Sequence, residues 1–109
     1  MTTRMKYTDV FSSIRNVAMK LKPENGKIIL FGSQARGGAH ENSDWDILVL
    51  LDKDKIEVID HDKFTYPFWE LGWEINAMIH PIVYTSKEWS TLSHTSFRDN
   101  VELYGIVLC

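Results

Sequence analysis

Two aspartates, one residue apart, stand at the start of a strongly apolar run, Ile47-Leu48-Val49-Leu50-Leu51. Residues two apart in a strand project from the same face, so Asp44 and Asp46 point together. Adjacent carboxylates repel each other unless a proton or a cation lies between them. Oxygen ligands of this kind suit Mg²⁺ or Mn²⁺, which are held by one or two carboxylates together with substrate phosphates. The pattern leaves two interpretations open, which are a divalent-metal site and a solvated strand entrance in which Ser43 and Asp44 close a turn.

A second stretch suited to chemistry is the turn that follows the apolar run Lys27–Phe31. Gly32 allows the backbone to bend sharply and a bulky ligand to come close. Ser33 is predicted as the N-cap of a short helix, whose N-terminus presents free N–H groups and a positive dipole end to a phosphate. Arg36, one turn further on, is placed to contact phosphate or to pin the loop. A plain strand-to-helix turn is the alternative interpretation of the same residues.

The apolar pattern predicts the elements that hold these residues. Helical spacing predicts a helix over residues 8–21, and β-rich runs predict strands at Lys27–Phe31 and Trp45–Leu51. The second strand is apolar on both faces, which predicts a central place in a sheet covered by helices. Residues 56–72 favour a helix with Gly72 as its C-cap. Trp69 and Trp73, four residues apart, are predicted to lie in the core.

The remainder of the chain continues the alternation of helix and strand. The segment Ile75–Tyr84 predicts a third strand, which Pro81 marks as an edge strand or a bulge. Residues 86–104 favour one or two helices, and residues 105–108 could add a short final strand. The order predicts an α/β or α+β fold, in which helices pack on a small mixed sheet.

Length and composition limit the class of protein. With 109 residues, 44% of them hydrophobic and 25% charged, the chain is predicted to form a single soluble domain over residues 1–109. A net charge of -3 without a Lys/Arg run gives no sign of a general nucleic-acid binder. No apolar run approaches the ~20 residues of a membrane span, and no signal-peptide apolar region is present. Because Cys109 is the only cysteine, no internal disulfide can form, and we expect a cytoplasmic protein.

The two stretches taken together are more specific than either alone. Three segments carry a resemblance to a known family: Gly32-Ser33, Ala35-Arg36-Gly37 and Ser43-Asp44-Trp45-Asp46-Ile47. Ten residues separate Ser33 from Asp44. The three segments resemble the signature of the nucleotidyltransferase superfamily with a DNA polymerase beta-like catalytic core. The short length and the pattern GSxARG…SDxD are similar to the minimal nucleotidyltransferase family. The resemblance extends from about Lys27 to Tyr84.

The resemblance implies an activity and roles for the residues. A nucleoside monophosphate is moved onto a hydroxyl acceptor, and pyrophosphate leaves. The expected substrate is ATP, which supplies AMP, and the alternative is another NTP, which supplies its own monophosphate. Gly32, Ser33 and Arg36 are implied to hold the nucleotide phosphates. Asp44 and Asp46 are implied to hold Mg²⁺ or Mn²⁺, which bridges the triphosphate and neutralises developing charge. Positioning and electrostatics then do most of the catalytic work.

The family usually carries a third carboxylate on a later strand, facing the Asp-x-Asp pair. Here the corresponding segment, Ile75–Tyr84, contains no acid, and the expected position is near Met78. Glu74 shares the strand parity of that position but lies four residues earlier, roughly 13 Å along an extended chain, and the alternative is that it already belongs to the preceding turn. His80 shares the same face and is the other candidate for the catalytic base.

Two functional hypotheses follow from this pattern. In the first, the chain is an enzyme whose acceptor is supplied by a partner protein or by a second copy, because the chain is too short to hold a further domain. The resemblance implies a HEPN-type toxin as that partner, neutralised by AMPylation of a tyrosine, which is an antitoxin role. In the second, the chain is a weak or inactive nucleotide-binding module that acts by binding a partner. Met78 in place of an acid favours the second.

Overall fold

The structure, a computed structural model, describes residues 6–37, 43–92 and 95–109. None of the helices in these ranges is long and apolar enough to cross a membrane. The elements in chain order are α1 (Tyr7–Leu21), β1 (Lys27–Phe31), α2 (Ser33–Arg36), β2 (Trp45–Leu51), α3 (Val58–Asp60), a π-helical turn (His61–Thr65), α4 (Tyr66–Ile75), β3 (Ile79–Thr85), α5 (Ser86–Thr91), α6 (Ser96–Tyr104) and β4 (Ile106–Val107).

The four strands form one mixed sheet in the order β3-β2-β1-β4. Strand β2 runs antiparallel to β1 and parallel to β3, so it is central, as its apolar character predicts. Strand β3 lies at the edge, where Pro81 is tolerated because its missing N–H removes no bond from an inner ladder. The predicted fold class is confirmed, since helices pack on a small mixed sheet.

Alternating side chains of β2 divide the apolar core between the two faces of the sheet. On one face the strands pack against α1 and α4, and the fully buried members there include Ile14, Ala18, Ile28, Leu30, Ile47, Val49 and Phe68. On the other face they pack against α5 and α6, through Ile29, Leu48, Leu50, Trp89 and Val101. Helices therefore cover β2 on both sides, which leaves its N-terminal end as the place where polar side chains can emerge.

The third strand begins later than the sequence predicts. Residues 75–78 do not join it, because α4 continues to Ile75 and ends at Asn76, which adopts a left-handed conformation with φ 55°. Gly72 is therefore not the C-cap but lies inside the helix. A Cβ at Gly72 would lie 2.7 Å from the carbonyl oxygen of Ala77 and 3.6 Å from Cβ of Ile79. The glycine lets α4 pack closely against the start of β3.

The prediction that Trp69 and Trp73 lie in the core is wrong. Trp69 is 37% exposed and Trp73 is 67% exposed, whereas Phe68 is fully buried against the sheet. The helix carries aromatic residues on two of its faces, and the sheet takes the face with Phe68 and Gly72.

Candidate active site

The turn between β1 and α2 depends on a glycine. Gly32 has φ 77° and ψ -160°, a backbone conformation that only glycine adopts without strain. A Cβ built on Gly32 would collide with Oδ2 of Asp46, so the turn lies directly against that carboxylate. The prediction that Ser33 is the N-cap is wrong by one residue. Gly32 is the N-cap and makes no side-chain capping bond, so Ser33 is the first residue of the helix.

The two aspartates emerge where β2 begins. Asp44 precedes the strand and is exposed, whereas Asp46 is the second strand residue and is half-buried. Burial raises the pKa of Asp46 above its ordinary value, and the charge of Asp44 raises it further. His80 acts in the opposite direction and lowers the pKa of Asp46. The pair therefore forms a patch of unfavourable negative charge beside the Gly32 turn.

His80 lies across from Asp46 in the parallel pairing of β2 and β3. Its Nε2 lies 3.4 Å from Oδ2 of Asp44. That nitrogen is buried and has no hydrogen-bond partner among the described residues, so the approach to Asp44 is close without hydrogen-bond geometry. The imidazole also meets the ring of Trp69 edge to face, with 5.5 Å between the ring centroids. Nε2 of His80 is thus buried beside Asp44 and is available to accept or donate a hydrogen bond.

The sequence places the third-carboxylate position near Met78, but the register of the sheet points elsewhere. Met78 precedes β3, and its carbonyl accepts a 2.7 Å hydrogen bond from the N–H of Trp45. Its side chain is 60% exposed. The strand residue opposite Asp46 is His80, because β3 starts only at Ile79.

Glu74 and Arg36 are the two remaining predicted site residues. Glu74 belongs to α4, so it lies neither on the strand face of His80 nor in a turn before the strand. It lines a hollow between α1 and α4 together with Lys20. Arg36 ends α2, one turn beyond Gly32, and is exposed. The structure therefore brings together the Gly32 turn, both aspartates and His80, but not Glu74.

A residue that the sequence pattern does not single out connects the two halves of the site. Gln34 is 6% exposed, and its Nε2 donates a 3.1 Å hydrogen bond to the carbonyl of Ser43, the residue before Asp44. The hydroxyl of Tyr7 donates to the backbone carbonyl of Gln34, and the Tyr7 ring packs on Trp45 at 4.9 Å. Gln34 holds α2 and the entrance to β2 together. The motif treats its position as variable, and nothing in the pattern signals its burial.

The chemistry of the site fits a cation shared with a ligand. In the described ranges, no group of three or more His, Cys, Asp or Glu residues is arranged to hold a metal ion. Asp44 and Asp46 supply two carboxylates, which is the number that commonly holds Mg²⁺ when substrate phosphates complete the coordination. The raised pKa of Asp46 supports this fit, because a cation would relieve the repulsion that raises it.

Replacing Gly32 with alanine is expected to damage the site. The new Cβ must displace either the turn or the carboxylate of Asp46, and the positive φ adds a strain of roughly 1–3 kcal/mol. Gly37→Ala is the matched control, because Gly37 also has a positive φ, 86°, but no atom within 4 Å of its Cβ position. Thermal melting and ATP titration of both variants test the contact. Equal losses of ATP affinity in the two variants would show that the contact with Asp46 is unimportant.

The model of a family described as "Nucleotidyltransferase domain" matches residues 12–107. A curated protein of Methanocaldococcus jannaschii, which bears the name "Putative protein adenylyltransferase", is 34% identical over 92 residues. That alignment covers 84% of this chain and 87% of the relative.

Solved structures with a similar fold were also found. One, described as a toxin-antitoxin with AMP-PNP, has a TM-score of 0.54 and 25% identity, and the match covers 87% of this chain and 72% of that one. Another, described as a putative nucleotidyltransferase from Sulfolobus solfataricus, has a TM-score of 0.56 and 17% identity. Its match covers 93% of this chain and 80% of the other.

Proposed function

The chain belongs to the nucleotidyltransferase domain family, and from that premise we propose that it transfers AMP from ATP to a hydroxyl group of a protein. The observation that carries this proposal is the contact between the Gly32 turn and the carboxylate of Asp46, with Asp44 and His80 beside it. This contact places the turn that would bind phosphates next to the two carboxylates that would bind a cation. The adenylyltransferase name of the relative supports AMP as the transferred group.

The phosphate-binding role falls to the β1–α2 turn. Gly32 has no side chain, so phosphate oxygens can approach its backbone, and Ser33 offers a hydroxyl donor in the first turn of α2. Arg36 is exposed one turn further on and supplies the positive charge that a triphosphate requires. Gln34 is a positioning residue, because it keeps this turn beside the segment that carries Asp44.

Asp44 and Asp46 would hold Mg²⁺ or Mn²⁺. When bound, the cation supplies positive charge that neutralises the triphosphate and the charge that develops during transfer. In the transfer itself, the acceptor oxygen forms a bond to the α-phosphorus, and the bond from that phosphorus to the bridging oxygen of pyrophosphate breaks. The hydroxyl proton passes to Nε2 of His80, which is buried beside Asp44 and has no hydrogen-bond partner among the described residues. His80 is thus a stronger candidate base than Glu74.

The acceptor is proposed to be a tyrosine of a partner protein, a HEPN-type toxin, for which this chain serves as the antitoxin. The similar solved structure that is described as a toxin-antitoxin supports the proposal that a partner protein supplies the acceptor. A homo-oligomer, in which a second copy supplies the hydroxyl, is the alternative source of the acceptor.

The proposed activity predicts a specific pattern of labelling. The purified chain is incubated with a HEPN-type toxin, Mg²⁺ and ATP labelled on either the α- or the γ-phosphate. Label from the α-position, but not from the γ-position, is expected on the partner, and mass spectrometry then identifies the modified residue. Transfer of the γ-label would show a kinase reaction instead and would exclude AMP transfer.

A binding module without catalysis is the second candidate function. It is favoured by the absence of an acidic residue from β3, whose residues are Ile79–Thr85. Such a module binds ATP with the same turn and carboxylates but leaves no α-label on the partner. Tight binding of ATP and of the partner, without transfer of label, would decide for this function.

Ser33→Ala is expected to weaken triphosphate binding without unfolding the protein. Loss of one hydrogen bond to a charged group reduces binding by about 1.5–3 kcal/mol. Titration calorimetry with ATP and with adenosine measures the effect, because only ATP carries the phosphates. Ser90→Ala is the control, since the hydroxyl of Ser90 donates to the carbonyl of Lys87 within its own helix, α5. If the parent protein bound adenosine as tightly as ATP, the turn would not be the phosphate site.

A further inference from the structure

Three aromatic side chains of α4 lie open to solvent in one row. Tyr66, Trp69 and Trp73 occupy positions i, i+3 and i+7 and therefore share one face of the helix. Tyr66 is 49% exposed, and the rings of Tyr66 and Trp73 meet edge to face with 6.0 Å between their centroids. We name these three residues the aromatic face.

The aromatic face is continuous with the candidate active site. Trp69 contacts the imidazole of His80, and the Nε2 of His80 lies 3.4 Å from Asp44. Gly72 allows α4 to pack closely against Ile79, at the start of β3, which fixes the helix beside the strand that carries His80. A molecule bound on the aromatic face would therefore lie next to the reacting atoms.

The direction of the proposed reaction points to the same side. On the β1 side, Asp46 pairs with Phe31, the residue before the Gly32 turn. On the β3 side, Asp46 pairs with His80. If the turn holds the outer phosphates, pyrophosphate leaves on the side of β1. The attacking and leaving oxygens of such a transfer lie roughly in line, on opposite sides of the phosphorus. The acceptor hydroxyl must then arrive from the side of β3, which is where the aromatic face lies.

We propose that the aromatic face docks the protein segment that carries the acceptor hydroxyl, an inference that rests on the proposed function. Exposed tryptophan and tyrosine are among the side chains that contribute most to binding at protein interfaces. Glu70 and Glu74 each follow a tryptophan of the face by one residue and are exposed, and together with Lys20 of α1 they line the hollow between α1 and α4, so the net charge on that flank is negative. The segment that fits is therefore apolar beside its hydroxyl residue and basic at its edges. The same negative flank opposes the phosphate backbone of a nucleic acid.

Binding of two designed peptides tests the inference without requiring catalysis. Both are centred on one tyrosine and carry lysines at their ends; the first has leucines beside the tyrosine, and the second has serines there. Fluorescence anisotropy measures their binding to the parent chain. We expect the leucine peptide to bind about tenfold more tightly than the serine peptide, and Trp73→Ala and Trp69→Ala/Trp73→Ala to remove that preference.

Control variants separate this surface from the rest of the chain. Leu103→Ala alters another exposed apolar residue, 72% exposed on α6 at the opposite face of the sheet, and should leave peptide binding unchanged. Melting curves establish that the tryptophan variants are folded. Equal binding of the two peptides, unchanged binding by the tryptophan variants, or an equal loss in Leu103→Ala overturns the inference. Weaker ATP binding by Trp69→Ala also overturns it, because the face would then hold the nucleobase.

The same peptides distinguish this inference from the proposed function. Asp44→Asn/Asp46→Asn is expected to keep the preference for the leucine peptide, because neither aspartate belongs to the aromatic face. Preference for the leucine peptide without any α-label transfer supports the docking surface and contradicts the proposed AMP transfer. Transfer to a partner that is unaffected by both tryptophan variants supports AMP transfer and overturns the docking surface.

Discussion

Asp44→Asn/Asp46→Asn is expected to abolish both AMP transfer and the cation-dependent part of ATP binding. Asparagine retains the size of each side chain but removes the negative charge that would hold Mg²⁺. Removal of one group that stabilises a transition state commonly lowers the rate about 10²–10³-fold, and here both are removed. Titration with ATP in the presence of Mg²⁺ or of a chelator measures the cation-dependent part. The label-transfer assay measures the rate.

The same double variant is expected to melt at a higher temperature than the parent near neutral pH when no cation is present. Burial and the charge of Asp44 raise the pKa of Asp46 in the native state, so the native state binds that proton more tightly than the unfolded chain does. The contribution of Asp46 to stability is therefore fully present below its unfolded-state pKa and is lost as the pH rises through the raised pKa. An asparagine at this position does not ionise, so the gain should shrink as the pH is lowered.

A matched pair of aspartates at the other end of β2 provides the control. Asp52 and Asp54 have the same spacing, follow the strand and are exposed. Asp52→Asn/Asp54→Asn changes the net charge equally but leaves the candidate site intact, so ATP binding should remain cation-dependent. Binding of Mg²⁺ and ATP by the Asp44/Asp46 variant with the affinity of the parent would contradict the metal assignment.

The central strands could be predicted from the sequence because their pattern is unambiguous. The bounds Lys27–Phe31 and Trp45–Leu51 agree with the structure. Each is an apolar run, and β2 is apolar on both faces, which also predicts its central position. Pro81 predicts the edge position of β3 for a comparably simple reason, since a proline cannot donate to an inner ladder.

The start of β3 could not be predicted, because it depends on contacts between distant residues. Ile75 fits a strand as well as a helix by its sequence neighbours, and the helix prevails where Gly72 packs against Ala77 and Ile79. The exposed tryptophans have a related cause. Spacing indicates that Trp69 and Trp73 share a face of α4, but it does not indicate which face the sheet will bury.

The candidate site divides in the same way between what local sequence determines and what the fold determines. The motif predicts that Gly32 and Asp46 belong together, and the structure places them in contact. Gln34 could not be found, because its burial arises from α2 folding against the segment before β2. His80 gains its position opposite Asp46 from the pairing of β3 with β2, a register that the sequence pattern alone does not give.

His80→Asp is expected to place a third carboxylate in the candidate site. The new side chain would face Asp46 across the strand pair and approach Asp44, which His80 now contacts at 3.4 Å. Without a cation, repulsion between like charges about 4 Å apart destabilises the fold by about 1–4 kcal/mol, depending on solvent screening. We expect a lower melting temperature without Mg²⁺ and a larger stabilisation by Mg²⁺ with ATP than in the parent. AMP transfer should be kept or raised, because a carboxylate also accepts the hydroxyl proton.

Met78→Asp is the matched variant, because it adds the same charge two residues earlier. Its side chain is 60% exposed and precedes β3, so water would solvate the new carboxylate, and we expect neither the loss of stability nor the added stabilisation by Mg²⁺. His80→Gln separates proton transfer from metal binding: it should lower the transfer rate by about 10²–10⁴ and leave ATP affinity unchanged. A gain of Mg²⁺ stabilisation in Met78→Asp but not in His80→Asp would mean that the third position lies at residue 78 and that His80 serves another purpose.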